Sequence, residues 1–360
     1  MENSPGKEES LGYFNLIRGV GMLVILLGHS LLLFLPGTTN TDLFSGWGSI
    51  WGGGILVMFF MISGFGFYKR SAKKCFCIQK KLLLYPYWTV AAAILITKTI
   101  LAVVERRSFK DHGGELVLTY LLGLNAEGGG EIRGIAIESV GVCWFILALF
   151  GAWNIYNAIM LLKSEKLQNC LCVGCVILGY LLTLISKVWI FCLPLALIAV
   201  GCLAAGNFIR KHHLLTDKLP IWCWGVMLLI VIVSLTFGNV NMVACVWRMG
   251  LIDVAATFCV GFFLLRLYAY IMKWEWNGKI VGMLEEIGFH SIRIFCIHAY
   301  EKIIFPWYRI PILFADHPVM GAICSMIGRC IIVYLLCRGV EFVNKKKKRK
   351  KKKVILEGIH

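Results

Sequence analysis

Charge is what this chain has least of. Only 16% of its 360 residues are Asp, Glu, Lys or Arg, against 59% hydrophobic residues and a mean hydropathy of +0.76. That scarcity excludes an ordinary soluble globular domain, in which about a quarter of the residues are charged. Acidic residues are scarcer still, 20 against 37 basic ones, and those near apolar segments are scattered. With no HExxH either, a resident metal centre is not expected. No basic n-region opens the chain. Met1–Ser10 is polar and partly acidic, so a cleavable leader is not expected and the first apolar stretch is read as a retained span. Internal repeats and a separate soluble domain are not discernible either.

The fifteen cysteines do not read as a disulfide framework, because most fall inside apolar runs, as Cys192, Cys202, Cys223, Cys259 and Cys330 do. Cys170, Cys172 and Cys175 have a suggestive spacing but no second Cys or His group nearby, so they are read as packing residues.

Long apolar segments are what the chain does have, along its whole length. Ten spans can be drawn: 12–35, 49–68, 83–103, 140–162, 171–186, 189–209, 220–238, 248–272, 284–307 and 319–343. The expected fold is therefore all-α, a polytopic membrane protein of about ten transmembrane helices. A short N-terminus (1–11) precedes one transmembrane domain (12–343), and a polybasic tail (344–360) follows it. An even number of spans puts both ends on one side. Thirteen basic residues occupy the loops on the tail's side: Lys69, Arg70, Lys73, Lys74, Lys80, Lys81, Lys163, Lys166, Arg210, Lys211, Lys218, Lys273 and Lys279. Six occupy the other side: Arg106, Arg107, Lys110, Arg133, Lys187 and Arg309. The positive-inside rule then makes both termini cytoplasmic. The 104–139 segment, with Gly128–Gly129–Gly130, becomes the one sizeable external loop, either a plain connection or a flexible cover.

The net charge of +17 does not point to nucleic acid, because nine of those charges form one run, Lys345–Lys353, directly after the last span. A juxtamembrane run of that kind is attracted to anionic lipid.

Arg18 and His29 stand out within the first span. Eleven residues at about 100° each return to within about 20° of the same helix face, and at about 1.5 Å per residue the two lie about 16 Å apart. Ionisable residues inside a membrane span are costly and mark function by default.

The segment from Arg18 to His29 resembles the Arg-x10-His signature of the bacterial membrane acyltransferases called acyltransferase family 3. Four further elements follow in that family's order. Phe59–Phe65 (FFMISGF) resembles its FF-x-x-SGF element, and Lys80–Trp88 (KKLLLYPYW) its basic loop leading into PYW. Trp144–Phe150 (WFILALF) resembles WFL-x-x-LF, and Ile287–His298 the late IG-x-NS-L…H element. Three departures stand beside them: Gly141–Val142–Cys143 where a His is common, His290 in place of Asn, and lysines where arginine pairs are usual. The lack of a fused extracytoplasmic domain resembles the fucose 4-O-acetylase-like branch.

The resemblance implies transfer of an acyl group, acetyl from acetyl-CoA in the first place, to a hydroxyl of a cell-surface carbohydrate in the bacterial envelope. Such a reaction needs a base for the incoming alcohol or a nucleophile to hold the acyl group, and an imidazole suits either. His29 is the expected catalytic group, with interhelical packing as its alternative. Arg18 is expected to act with it and to hold the thioester donor, or else to snorkel to the interface. Lys80 and Lys81, within the basic cluster, would attract the donor's nucleotide, or merely set topology. Ser63 either lets helices approach or bonds a substrate oxygen. Trp144 either stacks on a sugar or belongs to the aromatic belt. His298 is a supporting candidate, Arg293 is read as a partner of Glu285 or Glu286 or an interface residue, and Arg329 requires a partner that the sequence does not name. The rival class is a transporter or polysaccharide exporter, in which Arg18 and His29 would line a pathway.

Overall fold

The computed structural model describes residues 11–34, 43–104, 113–125, 130–132, 135–137, 139–186, 188–274, 276 and 278–357. Fourteen α-helices are described: α1 (Asn15–Leu31), α2 (Leu43–Phe65), α3 (Ala72–Gln79), α4 (Tyr85–Val104), α5 (Gly113–Leu122), α6 (Trp144–Met160), α7 (Glu165–Ile185), α8 (Leu193–Lys211), α9 (Ile221–Phe237), α10 (Leu251–Ile271), α11 (Lys279–Phe289), α12 (Ser291–Ile304), α13 (Ile310–Leu313) and α14 (Pro318–Glu357). Two short antiparallel hairpins complete it, β1 (Gly130–Ile132) with β2 (Ile135–Ile137), and β3 (Val240–Asn241) with β4 (Val246–Trp247). The chain is an all-α polytopic membrane protein.

Among the described residues seven helices are long and apolar enough to cross a membrane, and two apolar ones are shorter, Ile50–Phe65 and Ile221–Phe237. The remaining expected span, 284–307, is not one helix. His290 leaves helical torsions (φ −96°, ψ 13°), so the segment divides into α11, which packs on α1, and α12, which packs on α4 and α14. The expected basic loop before the third span is also helical. α3 runs through a π-helical turn, Lys80–Leu84, directly into α4. Pro86 has no N–H for the Leu82 carbonyl and its ring would crowd that oxygen, so the helix widens there. The expected external loop contains α5, whose Thr119 and Tyr120 are buried and whose Tyr120 carbonyl accepts from Tyr87 Oη at 2.6 Å. Gly128, Gly129, Arg106, Arg107, Lys110, Arg133 and Lys187 lie outside the described residues. α14 continues through the polybasic run as far as Glu357.

α8 is the hub. Pro194–Leu203 is buried on every face, as expected of a helix apolar all round and surrounded by others, here α2, α6 and α7. Small residues set the spacing between helices. A Cβ on Gly64 would press on the Leu203 backbone, and one on Gly206 on the Met61 carbonyl, so α2 and α8 meet backbone to backbone. α1 and α11 do the same: Gly19 faces the Leu284 carbonyl and Gly288 the Asn15 carbonyl. Lipid tails offer no hydrophobic drive for two helices to associate, so such close approach carries the contact. The chain thus has two packed groups, α2 with α6–α10 and α1 with α4, α11, α12 and α14. A hydroxyl pair, Thr97 Oγ1 and Tyr300 Oη at 2.9 Å, joins α4 to α12.

Two glycines of α11 test this packing. A Cβ on Gly282 meets nothing within 4 Å, whereas one on Gly288 meets backbone. Gly288→Val is expected to destabilise the purified protein by about 3 kcal/mol or prevent its recovery, while Gly282→Ala is neutral or stabilising by about 1 kcal/mol. Thermal unfolding in detergent followed by size-exclusion fluorescence reads both.

Candidate functional site

The face of α1 that carries Arg18 and His29 also carries Met22 and Ile25, the four at i, i+4, i+7 and i+11. Arg18 is half-buried, donates from Nη2 to Asn15 Oδ1 at 2.6 Å, and lies near Tyr268. Met22 and Ile25 line a cavity of about 40 Å³ at the junction of the two helix groups. Its other walls are Leu56 and Phe59 of α2, Leu83 of the π turn, Phe145, Ile146 and Leu149 of α6, and Ser291, Ile292 and Phe295 of α12. The two charged or titratable positions on α1 therefore flank one apolar chamber.

One turn beyond Ile25 on α1, and one turn beyond Phe295 on α12, two imidazoles meet. The rings of His29 and His298 have centroids 5.2 Å apart and planes tilted by 35°. His298 is completely buried. Its Nδ1 lies 2.7 Å from Glu301 Oε1, three residues on along the same helix. Glu301 is also buried and accepts from Arg329 Nη1 at 2.9 Å, on α14, and from Trp307 Nε1 at 2.6 Å. The Arg329 guanidinium lies 4.3 Å over the Trp307 ring. An ionised carboxylate is acceptor-only, so the shared proton belongs to Nδ1 and leaves a lone pair on Nε2. That Nε2 is buried and has no hydrogen-bond partner among the described residues. Buried polar atoms are seldom left so, and this one stands one turn beyond the cavity wall at Phe295.

Among the described residues, Thr119 Oγ1, Trp247 Nε1, Ser325 Oγ and Arg329 Nε are also buried without a hydrogen-bond partner, whereas two other polar groups are satisfied locally. Asp253 accepts from Ser234 Oγ at 2.5 Å and from the backbone N–H groups of Met249 and Asn239, which fixes the α9–α10 connection. Asn207 donates to Tyr156 Oη at 2.8 Å and accepts from Arg210, which also holds the Phe67 carbonyl.

The remaining expected site residues are placed less centrally. Ser63 donates to the Phe59 carbonyl of its own helix at 3.1 Å, and its neighbour Gly64 makes the helix contact described above. Trp144 is 2% exposed, packed by Phe60 and Phe145, and presents no face to a sugar or to the membrane interface. Lys80 and Lys81 are exposed on the π turn that also supplies Leu83 to the cavity, and the Lys80 ammonium lies 5.7 Å from the Tyr85 ring centre. Arg293 pairs with Glu341 of α14 at 3.7 Å rather than with Glu285 or Glu286, because it faces α14. Among the described residues no group of three or more His, Cys, Asp or Glu could hold a metal ion. Glu301 and Trp307 were not expected. The signal for Glu301 was Arg329 itself, a span arginine that demands a carboxylate among very few.

Arg329→Met is expected to cost about 3–5 kcal/mol, since it leaves the Glu301 carboxylate buried and unpaired, and adding Glu301→Gln should restore part of the loss. Thermal unfolding of the purified single and double variants checks the pair.

No curated protein and no solved structure matches the chain. A family model described as an acyltransferase domain matches residues 11–338, which contains every residue of the imidazole cluster and of the cavity. With all but short ends of its 360 residues inside that match, the chain belongs to this membrane acyltransferase family, Acyl_transf_3.

Proposed function

We propose that the protein transfers an acyl group, acetyl in the family resemblance, from acyl-CoA to a hydroxyl of a carbohydrate of the cell surface or its precursor. The observation that carries this reading is His298 Nε2, unpartnered beside His29 and fixed in tautomer by Glu301. One task or the other, base or nucleophile, was expected of His29; in this reading His298 is the base and His29 faces the donor. The acceptor hydroxyl gives its proton to His298 Nε2 while its oxygen attacks the thioester carbonyl. The carbon–sulfur bond then breaks, and the proton returns to the departing thiolate, leaving ester and free CoA. His29, on the helix that also carries Arg18, meets the thioester end of the donor. Arg18 holds donor oxygens about 16 Å farther along, because a guanidinium fork matches phosphate and carbonyl geometry.

Exposed Lys80 and Lys81 extend this positive end and suit a nucleotide diphosphate in loose electrostatic contact. The fucose 4-O-acetylase-like branch, cytoplasmic termini and contact of the Lys345–Lys353 run with anionic lipid belong to the same proposal.

The test is acyl transfer by the purified full chain from radiolabelled acyl-CoA to candidate sugars. His29→Ala and His298→Ala should each lower the rate by about 10²–10⁴-fold with the protein still inserted. The double variant should fall no further than the worse single one, as for groups acting as a unit. Wild-type activity in either single variant overturns the assignment. Glu301→Gln, which offers an amide in place of the acceptor oxygens, should lower kcat about tenfold to a hundredfold. Its KM for the donor should stay unchanged, and a change in KM alone would contradict a positioning role.

A further inference from the structure

The wall of the cavity beneath the two imidazoles has one polar side chain, Ser291. The other ten are Met, Ile, Leu and Phe. The pantetheine arm of CoA carries two amides, and burying them here would leave donors and acceptors without partners. A sugar fares worse on the same count. Acetyl offers only one methyl group to a cavity of about 40 Å³, a space that would hold about three water-sized groups. An apolar wall of this kind gains by being covered with hydrocarbon.

Position names which hydrocarbon. Ile25 precedes His29 by one turn of α1, and Phe295 precedes His298 by one turn of α12, so on both helices the imidazole pair stands one turn beyond the chamber wall. Met22 lies one turn from Arg18 at the other end. The chamber is therefore on the donor's side of the reacting centre. Resting on the acyl-CoA reading above, we propose that it is a pocket for the hydrocarbon of the transferred acyl group, and that a donor with several carbons fits better than acetyl.

The pocket has a fixed depth. Phe145 packs against Phe59 with ring centres 6.3 Å apart and against Phe295 at 5.4 Å, so three helices brace one aromatic floor. A braced wall rejects a chain that is too long as well as favouring one that fills it.

The experiment measures dissociation constants of CoA and of acetyl-, butyryl-, hexanoyl- and octanoyl-CoA on the full chain in neutral-lipid nanodiscs, with empty discs subtracted. Affinity should rise about fourfold per buried methylene from acetyl upward, then level off or fall once the chamber is full. Ile146→Phe should make the ladder stop earlier, and Phe295→Leu should extend it. A wild-type ladder that is flat, or that favours acetyl, overturns the pocket while leaving acyl-CoA as donor. Failure of every acyl-CoA to bind overturns the donor reading and the pocket with it. The wild-type ladder decides the matter even where a variant does not fold.

Discussion

The Glu301 carboxylate, sealed inside a membrane protein, is the constraint on which the site depends. Taking such a group out of water is expensive, and three donors converge to offset the cost: an imidazole of its own helix, a guanidinium from α14 and an indole from the turn that follows α12. Each donor is bound by geometry to its helix, so the carboxylate ties α12 to α14 and sets the rotation of the His298 ring. The orphaned Nε2 is a consequence. One nitrogen of the ring is committed to the carboxylate, and the other is left without a partner among the described residues.

The second constraint is small side chains. Gly19 and Gly288 bring the backbones of α1 and α11 together, and Gly64 and Gly206 do so for α2 and α8. Between the two groups fixed in this way, larger side chains do not fill all the space. The apolar cavity is what remains at their junction, and it lies between Arg18 and the imidazole pair because α1 presents all of them on one stripe.

Much of this was legible in the residue order. Hydropathy located nine of the ten apolar segments as helices, since burial in lipid demands that each satisfy its own backbone hydrogen bonds. The Arg18–His29 stripe needed only helical periodicity. The break at His290 was hidden because polar residues lie on both sides of it, Glu285 and Glu286 before and Arg293 after, and no proline marks the spot, so only the separate partners of α11 and α12 reveal it. The widened turn before Pro86 and the buried α5 were hidden too. Glu301 was hardest. It sits next to Lys302 near the end of an apolar run, where a charged pair looks like a loop boundary, and its guanidinium partner lies 28 residues away. Pairings across that distance are set by topology, which periodicity does not contain. Trp144 shows the opposite error: an aromatic near a span end resembles an interface residue until neighbouring helices are seen to cover it.

The distance in sequence between Glu301 and Arg329 also has a temporal meaning. A ribosome makes α12 before α14, so the carboxylate enters the bilayer ahead of the guanidinium that neutralises it. Until α14 is inserted, Glu301 has only the imidazole and the indole to lean on, and the His298 ring lacks its final brace. Assembly of the imidazole and carboxylate cluster is therefore completed by a helix that lines none of the cavity.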